Sequence, residues 1–172
     1  MAKQVSMKPQ DVVILLKKLT PQGRTMLNKE LAASLQISAS EVSEALERCR
    51  VSHLIDESKR EIRKLAMLEF LVHGIKYVFP AESGRMVRGV PTAFSASPMK
   101  EALNDSREQF VWPCKTGDAR GQSVTPLYPT VPFAVEQDEY LYQLLVLVDS
   151  LRLGRARETA IAKQKLEEML SL

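Results

Sequence analysis

Apolar residues in the first third of the chain recur at the spacing of one helix face. After Pro9, the residues at this spacing are Val12, Val13, Leu15, Leu16 and Leu19. They predict a helix that ends at the turn-forming residues 20–23. A second helix is predicted over residues 28–35, where Asn28 or Thr25 would supply the N-cap.

A third helix is predicted to begin beside Ser38. Ser38 and Glu41 stand three positions apart, which is the spacing of a capping box, in which each side chain accepts a hydrogen bond from the other residue's backbone N–H. This helix should end near His53. The residues expected on its buried face are Val42, Ala45, Leu46 and Cys49.

The middle of the chain changes from helix-forming to proline-rich sequence. A fourth helix is predicted over residues 62–72, with charged residues 56–61 before it and Gly74 as its stop. Seven of the nine prolines follow within residues 76–133. Because proline restricts strand pairing, we expect irregular structure there, with short strands at 77–79 and 90–94.

Two helices are predicted at the C-terminal end. The first contains residues 140–151 and ends at Gly154, and the second covers residues 155–170. The first is apolar nearly all round between Leu141 and Leu151, so it has to be covered on more than one side. The proline-rich segment of the same chain would cover it, or a second copy would. We favour the second copy and therefore predict a homodimer.

Composition indicates a soluble globular protein, since 45% of the 172 residues are hydrophobic and 26% are charged. The longest apolar run, residues 144–148, is too short to cross a membrane. Residues 1–5 lack the apolar core of a signal peptide. We therefore expect a cytoplasmic protein with reduced cysteines and no membrane partner.

Charge is unevenly distributed although the net charge is only +3. Residues 59–100 hold eight Lys or Arg and three Asp or Glu, whereas residues 101–150 hold three and eight. This pattern fits an anion-facing surface with a separate acidic surface, or scattered solvated charge. A later basic cluster, formed by Arg152, Arg155 and Arg157, would bind phosphate or pair with Glu158 or the acidic residues of 101–118.

Residues for catalysis are sparse. His53 and His73 lie in apolar surroundings without a second ligand at metal spacing, so we expect both to be buried and hydrogen-bonded. Cys49 is expected to pack in the core, and Cys114, beside Lys115, is the single candidate redox thiol. We predict no enzyme, no metal site and no cofactor.

Residues 31–46 have a recurring helix-turn-helix rhythm. Its elements are the small Ala32, apolar Leu35 and Ile37, Ser38 and Ser40, and the inward Val42 and Leu46. This stretch resembles the helix-turn-helix of bacterial winged-helix regulators such as the MarR family, and the resemblance covers less than a third of the chain. It implies that the third helix enters the major groove of DNA.

The resemblance also implies which side chains contact DNA. On the third helix, Ser40, Ser43 and Arg48 would face outward and donate hydrogen bonds, and Glu44 would accept one from a cytosine amino group. Phosphates would be contacted by basic side chains before and after this helix. The full predicted DNA-binding set is Lys29, Ser38, Ser40, Ser43, Glu44, Arg48, Arg60, Arg63, Arg85 and Arg88.

The sequence departs from the family pattern after the third helix. The turn that follows it lacks the usual Gly, and a helix-forming segment replaces the short wing hairpin expected after Ile55. We expect a substitute wing at residues 84–89, between the two short strands, which would carry Arg85 and Arg88.

Together these patterns predict a mainly α chain. Residues 1–75 would form a winged-helix-like DNA-binding domain, residues 76–135 a Pro-rich, partly β segment, and residues 136–172 a dimerising helical pair. The predicted function is sequence-specific binding of double-stranded DNA as a transcriptional regulator. The alternative is a protein-interaction module, such as an antitoxin-like partner that uses the winged helix as a scaffold and masks a toxin through its acidic face.

Overall fold

Helices account for most of residues 4–104 and 107–172, which the computed structural model describes. The helices are α1 (Pro9–Leu19), α2 (Asn28–Leu35), α3 (Ala39–Val51), α4 (Lys64–His73), α5 (Ile75–Val78), α6 (Met99–Leu103), α7 (Val131–Ala134), α8 (Glu139–Leu153) and α9 (Ala156–Leu170). The strands are β1 (Ser83–Pro91), β2 (Phe110–Pro113) and β3 (Ala119–Val124). The mainly α class and all six predicted helices are confirmed.

Helix α8 runs through the centre of the core, and each of its residues from 144 to 152 is buried. It packs against α1, α4, α5, α9 and the short turn Ala93–Ser95. The cover that α8 requires is therefore supplied by the same chain. The homodimer stays a prediction, but the apolar circumference of α8 no longer argues for it.

A single buried carboxylate on α8 connects the helix to the proline-rich segment. Asp149 accepts hydrogen bonds from Thr92 Oγ1 at 2.7 Å and Trp112 Nε1 at 2.6 Å. It also forms an ion pair of 2.7 Å with Arg152, whose guanidinium donates to the backbone oxygen of Phe79 at 2.9 Å. Asp149 therefore binds strand β2 and the turn before α6 directly, and it binds the end of α5 through Arg152.

The predicted local features of α2 and α3 are largely confirmed. Ser38 caps α3 by accepting a hydrogen bond from the Glu41 N–H at 3.2 Å, and the expected inward residues of α3 are buried. The capping box is only half formed, because the Glu41 carboxylate accepts from Gln10 and Arg48 instead of the Ser38 N–H. The N-cap of α2 is Leu27, not Asn28 or Thr25. Glu30 compensates for the missing side-chain cap by accepting the Leu27 N–H at 2.6 Å.

The small sheet differs from the one predicted. Residues 77–79 lie at the end of α5 and beyond it rather than in a strand, and residues 84–89 lie inside β1 rather than in a hairpin loop. Strand β1 pairs antiparallel with both β2 and β3, which pair with each other in parallel. Gly89 allows this close approach, because a Cβ there would lie 1.9 Å from the Trp112 carbonyl oxygen.

Both histidines are exposed, so the prediction that they are buried is wrong. The reason is their position at helix ends: His73 is the last residue of α4, and His53 follows α3 with a positive φ of 58°.

Across the described residues there is no cluster of three metal-ligating side chains and no helix long and apolar enough to cross a membrane. Residues 1–3, used in the signal-peptide expectation, lie outside that part of the chain.

Replacing Asp149 by Ala should lower the free energy of unfolding by about 3–5 kcal/mol, because Arg152 and Trp112 lose a buried partner. Urea unfolding measures this change. Glu139→Ala, at an exposed position on the same helix, is the matched control and should cost less than about 1 kcal/mol. Equal stability of the two variants would contradict the central role of Asp149.

The two cysteines should differ sharply in reactivity. Burial raises the pKa of the Cys49 thiol to about 12, whereas Cys114 is partly exposed. At neutral pH a disulfide reagent such as DTNB should therefore modify Cys114 in the native protein and both cysteines only after unfolding. Cys114→Ser should abolish the native reaction, and a remaining fast thiol would contradict the burial of Cys49.

Candidate nucleic-acid interface

A short hairpin directly follows α3. Ile55 and Ile62 form an antiparallel bridge, and flanking hydrogen bonds join the Asp56 N–H to the Glu61 oxygen and the Arg63 N–H to the Leu54 oxygen, each at 2.9 Å. The expectation that a helix-forming segment replaces this hairpin is therefore wrong. We refer to residues 54–63 as the α3 hairpin.

Asp56 holds the turn of the α3 hairpin. Its carboxylate accepts the backbone N–H groups of Arg60 at 2.9 Å and Glu61 at 3.0 Å. Hydrogen bonds from the Ser58 side chain and from these N–H groups lower the pKa of Asp56 to about 2. An Asp that binds N–H groups a few residues later is a local signal for a turn, and it is the sequence feature by which this hairpin can be found.

Ion pairs connect the α3 hairpin to α3. Glu47 lies 2.6 Å from Lys59 and 2.7 Å from Arg50, and Arg50 also pairs with Glu57 at 2.8 Å. Hydrogen bonds from Arg50 and Lys59 lower the pKa of Glu47 to about 2. The negative charge of Glu47 is therefore compensated within the protein, which weakens its repulsion of a polyanion.

Most of the predicted DNA-contacting residues on and near α3 are exposed, as expected. Ser40, Ser43 and Glu44 are exposed on α3, and Glu44 keeps 66% of its side-chain surface open to solvent. The other predicted contacts that are exposed near this end of the chain are Lys29, Ser38, Arg60 and Arg63.

Arg48 is the exception, because it faces the core. Its guanidinium donates to both oxygens of Asp11, at 2.8 and 2.7 Å, and also to Glu41. These carboxylates, Asp11 first, raise the pKa of Arg48. The prediction that Arg48 faces outward is wrong, since its position beside Cys49 brings it toward a buried acid on α1 that a single-helix pattern does not contain.

A basic groove opens between α3 and the α3 hairpin. Its volume is about 520 Å³, and Ser43 and Leu46 line it together with residues 24–28 and 58–61. Its cations are Lys18, Arg24, Lys59 and Arg60, and its one acid is Glu61. Lys18 and Arg24 are absent from the predicted set, because they precede the helix-turn-helix motif along the chain.

Arg85 and Arg88 belong to a different surface. Both are exposed on β1, where Arg88 lies opposite Arg120 of β3. The sheet packs through the turn at Ala93–Ser95 onto α8, whereas α3 packs onto α1 and α2. These arginines therefore do not form a substitute wing beside α3. Arg120 lies on the same surface as Arg85 and Arg88.

The C-terminal basic cluster is divided. Arg152 is buried in its ion pair with Asp149, so it is not a phosphate ligand. Arg155 pairs with Glu108 at 2.9 Å, which is the predicted pairing with the segment 101–118. Arg157 is exposed at the start of α9.

Comparison of the chain with protein-family models, curated proteins and solved structures finds no match. The resemblance of residues 31–46 to winged-helix regulators therefore stays a prediction. The functional argument depends on the site itself.

Glu47→Gln should loosen the α3 hairpin, because the amide cannot pair with Lys59 and Arg50 as a carboxylate does. Hydrogen exchange at the Asp56 and Arg63 amides should become faster in this variant. In the native protein, the same contacts stabilise the hairpin fully above the ordinary pKa of Glu, 4.5, and are lost as the pH falls toward about 2. Glu44→Gln is the control, and equal exchange in both variants would contradict the role of Glu47.

Proposed function

We propose that this chain binds double-stranded DNA through α3 and the α3 hairpin and acts as a sequence-specific regulator. The observation that carries the proposal is the hairpin that directly follows α3 and is held to it through Lys59 and Glu47 at 2.6 Å. A recognition helix followed by a short hairpin is the order of elements in a winged helix, the arrangement that the sequence resemblance implies.

In this proposal, contacts to bases and contacts to phosphates come from different elements. Ser40, Ser43 and Glu44 on the exposed side of α3 contact base edges. Lys29, Arg60 and Arg63 contact phosphates; within the described residues none of these three makes an ion pair. Phosphate contacts fix the register of the protein on the duplex, and base contacts supply specificity.

Acidic residues on α3 do not oppose this proposal as strongly as the sequence suggests. Glu41 pairs with Arg48, and Glu47 pairs with Arg50 and Lys59. Only Glu44 presents a largely exposed carboxylate on this helix, with Arg48 at 3.8 Å. Glu44 is then the residue suited to accept a hydrogen bond from a cytosine amino group.

Arg48 has a positioning role in the proposal. Its bidentate pair with Asp11 fixes the rotation of α3 on α1, and this rotation determines which residues of α3 point outward. The proposed contact set therefore omits Arg48. It also omits Arg85 and Arg88, which lie on the sheet.

The test is binding to a fluorescent duplex of the protein's own upstream region, measured by anisotropy over a range of salt beside an unrelated duplex. Tighter binding to the first duplex and a steep loss of affinity with salt are expected. Arg60→Ala should weaken binding and reduce the slope of log K against log salt by about 0.9, the value for one phosphate contact.

The matched control is Arg88→Ala, which removes the same side chain from the other basic surface. It should leave both affinity and salt slope unchanged. A larger loss of affinity in Arg88→Ala than in Arg60→Ala would show that the DNA interface lies on the sheet and not at α3. Light scattering of the complex would count the copies bound and so test the predicted homodimer.

The second candidate function is a protein-interaction module, the antitoxin-like alternative. Exposed apolar side chains on α4 and α5 favour it: Leu65 is 72% exposed and Tyr77 is 74% exposed. Weak and equal binding to both duplexes at low salt would exclude the first proposal and favour this one. Neither candidate function assigns a catalytic role to the chain.

A further inference from the structure

Two adjacent lysines near the end of α1 have different surroundings. Lys17 is buried and forms an ion pair of 2.7 Å with Asp138. Lys18 is also buried, with 8% of its surface exposed, but within residues 4–104 and 107–172 it makes no ion pair and its side chain makes no hydrogen bond. Its Nζ remains accessible to solvent, so the aliphatic part of the side chain is buried while the ammonium group faces the open grooves beside it.

Burial lowers the pKa of Lys18, and the carboxylates of Glu61 and Asp56 offset this only through longer-range attraction. Lys18 therefore has no counter-charge in direct contact among the described residues. A bound anion would supply this contact, whereas neither Glu61 nor Asp56 lies within ion-pair distance of Lys18.

The Lys18 side chain reaches two adjoining grooves, of about 520 and 290 Å³. Arg24 and Arg60 also line both of them, and neither arginine makes an ion pair in the described part of the chain. We call the space between these three residues the Lys18 cleft. One carboxylate, Glu61, also lines both grooves, so the three cations leave an excess of positive charge.

Neutral hydrogen-bonding groups accompany the three cations. Ser43 and Thr25 line the larger groove. Ser58 also lines it, but its hydroxyl donates to Asp56. A tetrahedral oxyanion accepts hydrogen bonds from several directions at once, and arginine binds such groups with two parallel N–H donors. Cations from three separate segments, together with hydroxyl groups, match a phosphate better than a single planar carboxylate.

We propose that the Lys18 cleft is a phosphate-binding site whose cations are Lys18, Arg24 and Arg60. The phosphate belongs either to the backbone of a bound duplex or to a free phosphorylated molecule. The site does not depend on DNA binding by α3, so it can be tested separately from the proposed function.

The test compares thermal unfolding and calorimetric titration with low millimolar inorganic phosphate against chloride of equal ionic strength. Phosphate should raise the Tm of the native protein. Lys18→Met should remove this shift and weaken phosphate binding about tenfold or more, the effect of losing a hydrogen bond to a charged group. Lys18→Met itself should change the stability little, because Met keeps most of the buried aliphatic chain and the ammonium group that is lost faces solvent.

Lys163→Met, an exposed lysine on α9, is the matched control and should keep the full phosphate effect. Arg24→Ala provides a second variant at an exposed position and should weaken binding in the same direction as Lys18→Met. A phosphate effect that is unchanged in both Lys18→Met and Arg24→Ala would overturn the proposal, since general salting-out by phosphate would then explain it.

A duplex titration separates the two sources of the phosphate. If Lys18→Met weakens both inorganic phosphate and duplex binding, the cleft holds a backbone phosphate. If it weakens phosphate alone, the cleft holds a free phosphorylated molecule. A phosphate effect that persists when no duplex binds would leave the cleft intact and reject the DNA proposal alone.

Discussion

Helix α8 has apolar residues on every side, and the need to cover all of them organises the rest of the chain. Helices α1, α4, α5 and α9 and the turn before α6 each bury part of its surface. Because α8 also carries the buried Asp149, its cover has to include polar partners. Thr92 and Trp112 supply them from the proline-rich segment, which gives that segment one defined arrangement.

Two further buried ion pairs follow the same rule. Asp11 pairs with Arg48, and Lys17 pairs with Asp138, so α1 is fixed to α3 and to the start of α8. Breaking such a pair leaves an uncompensated charge in the interior and is strongly destabilising. Among the described residues Lys18 has no such partner although it follows Lys17 directly, and its ammonium group faces the cleft of the phosphate proposal instead.

Helical periodicity was sufficient to predict the major helices, their buried faces and the cap at Ser38, because these depend on residues close together in sequence. Predictions failed where a distant residue decides the outcome. The direction of Arg48 depends on Asp11 of α1, and the length of β1 depends on pairing with β2 and β3. The α3 hairpin was missed because it has only one bridging apolar pair, Ile55 and Ile62, among charged residues.

The candidate site is predictable to a similar degree. Ser40, Ser43 and Glu44 follow from the face of one helix, but Lys18 and Arg24 reach the groove only through the packing of α1 beside the α3 hairpin. Arg60 belongs both to the proposed duplex contacts and to the Lys18 cleft. A phosphate bound in the cleft and a duplex on α3 would therefore share this residue, and linkage requires that each changes the affinity of the other by the same factor. If the phosphate is a free molecule, this shared arginine makes the cleft a means of regulating DNA binding; if it is a backbone phosphate, the cleft is part of the interface itself.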